Sequence, residues 1–132
     1  MTDRELVDLA INMKQRAYVP YSNFHVGAAL LCENGTVSTG CNVENAAYGV
    51  CICGEQTAIV KAVSEGHRKF KAIAIAGDTE GPCLPCGACR QIMSEFATRD
   101  MPVLCVGISG KYASYTLGEL LPHSFGPADL ER

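Results

Sequence analysis

The chain is predicted to fold as an α/β/α sandwich, in which a central sheet of five strands is flanked by helices. The main observation is that the apolar pattern alternates between helical and strand periods in the order αββαβαββα. In addition, the 132 residues show no internal repeat, linker or low-complexity segment. This length suits one domain over residues 1–132, which can bury roughly two thirds of its unfolded surface.

The first half of the chain is predicted to contain one helix and a β-hairpin. A capping box opens a helix that runs from Thr2 to about Ala17. Residues 25–32 form a buried strand and residues 36–41 return beside it. Between them, the Asn-Gly pair at 34–35 is expected to supply the positive φ values of a tight turn.

The second half is predicted to hold two long helices, three strands and a short final helix. The helices are expected at residues 57–63 and 90–96, the strands at 70–77, 102–108 and 112–115, and the short helix from Thr116. Each of the two longer helices begins just after a cysteine. The sequence therefore brings cysteines to two helix N-termini, where free N–H groups and the helix dipole favour anionic sulfur.

Three of these cysteines have the spacing of a catalytic zinc site, Cys53-x-Glu followed by Pro-Cys86-x-x-Cys89. Three thiolates can hold one zinc ion and leave its fourth tetrahedral position open for water. Glu55 follows the first cysteine too closely to share its ligation easily, but it can reach that water as an acid and base. The alternatives are buried thiols or a redox pair for the cysteines, and a first-turn glutamate favoured by the helix dipole for Glu55.

The other five cysteines lack this placement. Cys32, Cys41 and Cys105 lie in apolar strand patterns and are expected in the core. Cys51 and Cys83 lie near the predicted ligands in sequence, so competition for metal, oxidation and packing all stay open for them.

Composition points to a small neutral ligand. The net charge is −3, and the one basic cluster, Arg68-Lys69 with Lys71, is too narrow for the broad basic footprint of a nucleic-acid-binding protein. No apolar run of about 18 residues and no signal-peptide pattern is visible. We therefore expect a cytoplasmic protein with reduced thiols, a small-molecule substrate, and neither a nucleic-acid nor a membrane partner.

Several segments, in order along the chain, resemble a known family. They are Tyr18-x-Pro20-Tyr21-Ser22, Phe24-x-Val26-Gly27-Ala28-Ala29-Leu30, Asn42-x-Glu44-Asn45-Ala46, Cys53-x-Glu55, Pro85-Cys86-Gly87-Ala88-Cys89-Arg90-Gln91, and Glu119-Leu120-Leu121-Pro122 with Phe125-Gly126-Pro127. From about Leu6 to Leu130 the chain is similar to cytidine deaminases of the small, homotetrameric, all-cysteine zinc type. The resemblance implies a five-stranded mixed sheet, one Zn²⁺ per chain and a homotetramer.

The resemblance also implies a reaction and roles for site residues. The reaction is hydrolytic deamination of cytidine and 2′-deoxycytidine to the uridines and ammonia, in pyrimidine salvage. Cys53, Cys86 and Cys89 would bind zinc, and Glu55 would transfer protons. The implied substrate contacts are Phe24, Asn42, Glu44, Ala46, Tyr48, the N–H of Gly54, the carbonyl of Leu84, and Phe125 reaching a neighbouring subunit's site.

Independent arguments exist for two of these contacts. Asn42 and Glu44 alternate on an extended segment, so their side chains point the same way and can meet ribose hydroxyls. The alternative is a polar turn. For Phe24 and Phe125 the alternative is a place in the core.

The sequence departs from the family pattern after the first ligand. Most members have Ala-Glu-Arg there, whereas this chain has Gly54-Glu55-Gln56. Three thiolates and Zn²⁺ leave one net negative charge, which an arginine at position 56 would offset and Gln56 does not. Arg90, directly after the last ligand, is expected to hydrogen-bond to a thiolate instead.

Three other functions remain open alongside the leading one. The first is deamination of another aminated ring, such as blasticidin S or a free base, although Asn42 and Glu44 argue for a sugar. The second is a catalytically weak zinc-binding protein kept for oligomerisation or nucleoside binding, which the intact Glu55 disfavours and Gln56 favours. The third is a nucleic-acid editor, which the charge disfavours.

Overall fold

The computed structural model describes residues 1–131 and confirms the predicted sandwich. Its helices and strands are α1 Asp3–Met13, β1 Gly27–Cys32, β2 Val37–Cys41, α2 Gly54–Ser64, β3 Phe70–Ala76, α3 Gly87–Phe96, β4 Pro102–Val106, β5 Tyr112–Thr116 and α4 Leu117–Leu120. The strands form one sheet in the order β2-β1-β3-β4-β5. The sheet is mixed, since β3 and β4 are parallel and the other neighbours are antiparallel.

Alternation along β3 decides what packs on each face of the sheet. Ile73 and Ile75 join the core under α2 and α3, together with Ile59 and Met93. The alanines between them, at positions 72, 74 and 76, face the core formed with α1. Because strand side chains point alternately to opposite faces, one strand supports both layers of helices.

The end of the first helix differs from the prediction. The α-helix ends at Met13 rather than near Ala17, and residues Lys14–Arg16 continue it as one turn of 3₁₀-helix. Such tightening is common where a helix ends, because i→i+3 bonds satisfy carbonyls that lack an i+4 partner. The predicted capping box at the other end is present, with Thr2 and Glu5 bonding reciprocally.

The first strand also begins later than predicted, at Gly27 rather than His25. The reason is that the backbone N–H groups just before it are taken by side chains. His25 N–H donates to Asp78 Oδ2 at 2.7 Å, and Val26 N–H donates to Asn42 Oδ1 at 2.9 Å. These residues therefore belong to a side-chain network instead of the sheet ladder.

The turn of the β1–β2 hairpin contains only half of the predicted geometry. Gly35 has a positive φ of 91°, whereas Asn34 does not. Instead, Asn34 Oδ1 accepts a hydrogen bond from the N–H of Thr36 at 3.1 Å. The asparagine thus stabilises the turn through its side chain, a frequent alternative to the left-handed conformation.

The sheet places the starts of α2 and α3 beside the carboxyl end of β3. Residues 77–86 lead from this strand to α3, and Ile75, near the end of β3, lines one pocket together with Cys53 and Gly54 at the start of α2. Ser38 on β2 donates to the carbonyl of Ala58 at 2.7 Å and so fixes α2 on the sheet. Ligand sites in α/β proteins commonly lie at this edge of a sheet. None of the helices in residues 1–131 combines the length and apolar character needed to cross a bilayer.

Candidate functional site

Three cysteine sulfurs converge where α2 and α3 begin. Cys53 Sγ lies 3.8 Å from Cys86 Sγ, and Cys86 Sγ lies 3.3 Å from Cys89 Sγ. All three sulfurs lie within 4.8 Å of one another. Within residues 1–131 this is the one cluster of histidine, cysteine or acidic side chains close enough to hold a metal ion.

The two helices present these sulfurs because of where the cysteines sit. Cys53 is the N-cap of α2 and Cys86 the N-cap of α3, and neither side chain caps its own helix with a hydrogen bond. Cys89 follows in the first turn of α3. The free N–H groups and positive dipole ends of both helices therefore face the sulfurs and favour their anionic form.

The protonation of the thiols fits a site for a cation. The hydrogen bond from Cys89 lowers the pKa of Cys53 to about 7, although burial and Glu55 oppose this. The pKa of Cys89 is raised, first because its proton is shared with the Cys53 sulfur and also because burial disfavours a second thiolate. The cluster thus loses one proton readily and holds another between sulfurs, where a divalent cation can replace it.

The donor set selects zinc among the common metals. Tetrahedral thiolates at the usual Zn–S length of about 2.3 Å lie about 3.8 Å apart, close to the distances between these sulfurs. Soft sulfur ligands favour zinc over magnesium or calcium. The cluster therefore fits one zinc ion per chain, with three protein ligands.

Glu55 lies beside this cluster, in the first turn of α2. Its side chain is buried, with 4% of the residue exposed. Burial raises the pKa of its carboxyl, and hydrogen bonds from its own backbone and from Cys89 only partly oppose that shift. A carboxyl in this environment takes up a proton more readily than an exposed one, which is the property that a general base and acid needs.

A pocket of about 350 Å³ opens in front of Glu55 and the sulfurs. This size lies at the lower end of the range for small-molecule sites. The pocket is lined by Phe24, Val26, Asn42, Glu44, Cys51, Ile52, Cys53, Gly54, Glu55, Ile75, Thr79, Cys83, Leu84 and Cys86. Apolar side chains form much of the wall, and the polar groups are concentrated near the sulfurs and at the residues Asn42 and Glu44.

Asn42 and Glu44 both line the pocket and also hold its wall. Asn42 Nδ2 donates to the carbonyl of Phe24 at 2.8 Å, while its Oδ1 accepts from Val26. Glu44 Oε1 accepts from the N–H groups of Tyr21 and Ser22. The hydrogen bonds from Ser22 lower the pKa of Glu44, so it is a carboxylate at neutral pH.

Comparison with protein families identifies the family of the chain. Residues 1–105 match the model of the cytidine and deoxycytidylate deaminase zinc-binding region. The chain belongs to this deaminase family. The predicted family membership is therefore confirmed.

Individual relatives agree over nearly the whole chain. A cytidine deaminase of Sporosarcina psychrophila is 49% identical over 130 residues, which are 98% of this chain and 96% of the relative. One from Halalkalibacterium halodurans is 48% identical over 97% of this chain and 98% of its own length.

A solved cytidine deaminase structure from Burkholderia pseudomallei superposes with a TM-score of 0.91 at 46% identity. It covers 95% of this chain and 100% of its own. One from Mycobacterium tuberculosis gives a TM-score of 0.81 at 37% identity, covering 96% and 99%.

Three residues predicted to contact substrate lie outside this deaminase pocket. Ala46 is exposed and does not line it. Tyr48 lines a neighbouring recess with Tyr21, whose ring it meets edge-on at 5.7 Å between centroids. Phe125 is 58% exposed and lies against α3, where its carbonyl accepts from Gln91 Nε2 at 2.9 Å. Within one chain, these residues are not brought to the pocket.

Of the two residues predicted to tune the thiolates, Arg90 differs from expectation. Arg90 does not bond to a sulfur: its Nε donates to the carbonyl of Pro85 and its Nη1 to that of Leu120, both at 2.8 Å. The guanidinium has five N–H donors, and these two backbone carbonyls accept hydrogen bonds from two of them. Arg90 therefore holds the backbone just before Cys86 and does not offset the negative charge of the thiolates. Gln56 follows Glu55 on α2 and is half-buried.

The two unassigned cysteines both line the pocket without joining the sulfur cluster. Cys83 is buried, and burial raises the pKa of its thiol to about 11, so it stays protonated. Cys51 accepts a hydrogen bond from the N–H of Asn45 at 3.3 Å. Both pack the wall of the site.

Sequence reasoning missed several parts of the wall. Val26, Ile75 and Thr79 line the pocket but carry no motif for binding. Val26 could have been found from its alternation with Phe24, because side chains two residues apart on extended chain share a face. Ile75 and Thr79 need the sheet order, which places the carboxyl end of β3 at the site.

Proposed function

We propose that this protein deaminates cytidine and 2′-deoxycytidine hydrolytically, yielding uridine or 2′-deoxyuridine and ammonia. The observation that carries the proposal is a buried carboxyl, Glu55, beside three converging cysteines, of which Cys53 and Cys86 line the same pocket as Glu55. The reaction replaces the exocyclic amine of the ring by oxygen, with water as the second substrate.

Cys53, Cys86 and Cys89 would hold the zinc ion. When bound, zinc lowers the pKa of a water molecule, so that hydroxide is available at neutral pH. Glu55 accepts one proton of the water at its carboxylate and gives it to ring nitrogen N3. It then accepts the second proton, from the new hydroxyl at C4, and gives it to the departing amine. Its burial supports this role, because a raised pKa lets one group act as base and then as acid.

Main-chain groups and apolar side chains position the ring. The N–H of Gly54 lies in the first turn of α2, where helix N–H groups lack helical acceptors, and can donate to the ring carbonyl. The carbonyl of Leu84 can accept from the amine. Phe24, Val26 and Ile75 supply apolar surface against the ring and exclude water from it.

Asn42 and Glu44 recognise the sugar. Each already makes hydrogen bonds within the chain, yet each keeps unused capacity. The Asn42 amide has a second N–H and a second lone pair, and the Glu44 carboxylate, which already accepts three hydrogen bonds from Tyr21 and Ser22, has one acceptor site left. They can therefore bind ribose hydroxyls without giving up the contacts that hold the wall.

The charge of the pocket favours a nucleoside over a nucleotide. Among the described residues that line it, Glu44 and Glu55 are acidic and none is lysine, arginine or histidine. A 5′-phosphate would thus enter a site with negative groups and without a paired cation, which is costly. This argues for cytidine and against deoxycytidylate or a nucleic-acid strand.

The test is ultraviolet-monitored turnover of five compounds by the purified protein. These are cytidine, 2′-deoxycytidine, cytosine, deoxycytidine 5′-monophosphate and a cytosine-containing oligonucleotide, with adenosine as a ring control. We expect the two nucleosides to be turned over and cytosine to be about 10⁴-fold poorer in kcat/KM, because the sugar-binding groups would stay unpaired. Equal kcat/KM for cytidine and cytosine would contradict the roles of Asn42 and Glu44.

We also propose that the protein is a homotetramer whose sites lie at subunit boundaries. The support is a set of large exposed apolar side chains, of which Ile52 and Leu84 line the pocket and Tyr21 and Tyr48 line the neighbouring recess. Tyr18, Val43, Val50 and Phe125 are exposed as well. Large exposed apolar patches commonly mark protein interfaces. In an assembly, Phe125 and Tyr48 would complete a neighbour's site. Light scattering that finds a fully active monomer at assay concentration would overturn this.

Finally, we propose that residues 1–132 act as one deaminase domain in pyrimidine salvage in the cytoplasm. All eight cysteines are free thiols, and a three-thiolate metal site needs reducing surroundings.

A further inference from the structure

We propose that Asp78 is a positioning residue for the deaminase reaction: its carboxylate, held at the start of the 79–84 segment, fixes the backbone that presents the Phe24 ring to the pocket. This inference rests on the proposed function, because its readout is nucleoside binding and turnover. Asp78 itself does not line the pocket, and no motif in the sequence points to it.

The carboxylate of Asp78 joins two separate segments of the wall. Its Oδ2 accepts from the N–H of His25 at 2.7 Å and lies 3.0 Å from His25 Nδ1. His25 stands between Phe24 and Val26, which both line the pocket. Asp78 in turn directly precedes Thr79, the first lining residue of the segment that continues to Leu84.

Lys14 adds a third segment to this network. Its ammonium lies 2.9 Å from Asp78 Oδ1 and donates to the carbonyl of Gly77 at 3.1 Å. The side chains of Lys14 and Asp78 are only 18% and 23% exposed, so solvent screens the pair incompletely. Burial raises the pKa of Asp78, but hydrogen bonds from Lys14 and His25 outweigh it and lower the pKa to about 2. The carboxylate is therefore charged throughout the neutral range.

The backbone of Phe24 is fixed on both sides as a result. Its N–H donates to Ser22 Oγ at 3.0 Å, and its carbonyl accepts from Asn42. Asp78 holds the next residue. Since neither residue 24 nor residue 25 lies in the sheet, these side-chain bonds replace the strand ladder as the support of the ring.

Packing at Gly77 shows how tightly the two segments meet. A Cβ at this position would lie 2.4 Å from Cys83 Sγ and 3.4 Å from Phe24 Cε1. Phe24 and Cys83 thus converge on the residue directly before Asp78. A small displacement of Asp78 would shift both walls, and small displacements of positioning groups are costly to catalysis.

The experiment compares Asp78→Asn with the parent in three measurements. These are kcat and KM for cytidine, the dissociation constant of uridine by calorimetry, and zinc content. Loss of charge-assisted hydrogen bonds should raise both KM for cytidine and the dissociation constant of uridine about tenfold. We expect kcat to stay within about threefold of the parent value and the zinc content to be unchanged. The matched control is Asp8→Asn, which removes an exposed carboxylate paired with Arg4 at 2.8 Å and should change none of these values.

A double-mutant cycle identifies the route of the effect. If Asp78 acts through the ring, Asp78→Asn should change uridine affinity by less than about twofold in a Phe24→Ala background. An equal factor in both backgrounds, or unchanged KM and uridine affinity in folded Asp78→Asn, would overturn the proposal.

If Asp78→Asn does not fold, Lys14→Gln tests the same network, since it removes the ammonium and keeps the Asp78–His25 bonds. Without the ammonium the carboxylate loses one of its two anchors, so a KM raised about threefold supports the proposal, and an unchanged KM overturns it. A parent protein that does not turn over cytidine would instead refute the proposed function.

Discussion

The metal end of the pocket and its Phe24 wall are built from different kinds of structure. The sulfurs stand on two helix N-termini, and two of the three cysteines are only three residues apart. The Phe24 wall is irregular backbone held by side chains from distant segments: His25 and Asp78 are 53 positions apart in the sequence, and Lys14 and Gly77 are 63 apart.

The difference teaches where each kind of information lies in a sequence. A metal centre needs fixed ligand types at short spacings, because helix geometry then sets the distances between the sulfurs. The wall needs only shape and fixed backbone, which many residue combinations can supply. Changes at the metal end should therefore abolish chemistry, while changes at the wall should weaken binding.

Glu55→Gln is the strongest test of that contrast. The amide keeps the size of the side chain and removes its ability to take up and release a proton. We expect kcat to fall about 10²–10⁴-fold or more, with zinc content and uridine affinity close to the parent values. Glu65→Gln, at the exposed end of the same helix, is the control. A near-parent kcat in Glu55→Gln would assign proton transfer to another group.

Gln56→Arg sharpens the account of the metal end. Arg90 bonds to carbonyls rather than to sulfur, so within the chain it does not supply the missing charge compensation. A guanidinium at position 56 should offset thiolate charge, raise turnover by about 10–100-fold, and move the acid limb of the pH–rate profile to lower pH.

Two measurements control for other effects of that substitution. Zinc content separates a change in metal loading from a change in rate, and Asn12→Arg adds the same charge on an exposed position of α1. If Gln56→Arg slows the enzyme with zinc in place, or changes neither the turnover rate nor the acid limb of the pH–rate profile, the charge of the metal site is already compensated with a neutral residue at position 56.

Phe125→Ala should have a smaller effect, confined to binding. In the proposed tetramer its ring adds apolar contact to a neighbour's pocket, and aromatic contacts of this kind are worth about 0.5–1.5 kcal/mol. KM should rise about 2- to 10-fold with little change in kcat. Leu130→Ala removes another exposed side chain of the same segment and serves as control. An unchanged KM would separate Phe125 from the site.

The sequence predicted the sheet, its helices and the convergence of the three cysteines. These follow from local periodicity and from cysteines at helix starts, and both signals depend only on residues close together in the sequence. The exact ends of elements were harder, because long-range bonds decide them. The first strand begins at Gly27 only because Asp78 and Asn42 take the preceding N–H groups.

The wall of the site was predicted in part, for the same reason. Phe24, Asn42 and Glu44 line the pocket, but no pattern in the sequence indicated that Asn42 and Glu44 also hold its backbone through hydrogen bonds. Lys14, His25 and Asp78 form no recognisable pattern, since their contacts depend on the strand order. Arg90 illustrates the converse, where closeness in sequence to Cys89 suggested a contact that the fold does not make.

Zinc content of the purified protein tests the central claim most directly, since both the chemistry and the contrast between the two ends depend on the metal. Elemental analysis of protein prepared without chelators should find about one zinc per chain, and Cys86→Ala should lose the metal and much of its stability. Ser94→Ala, a substitution at a half-buried position farther along the same helix, should retain it. A parent protein that is folded, turns over cytidine and contains no zinc would contradict the account.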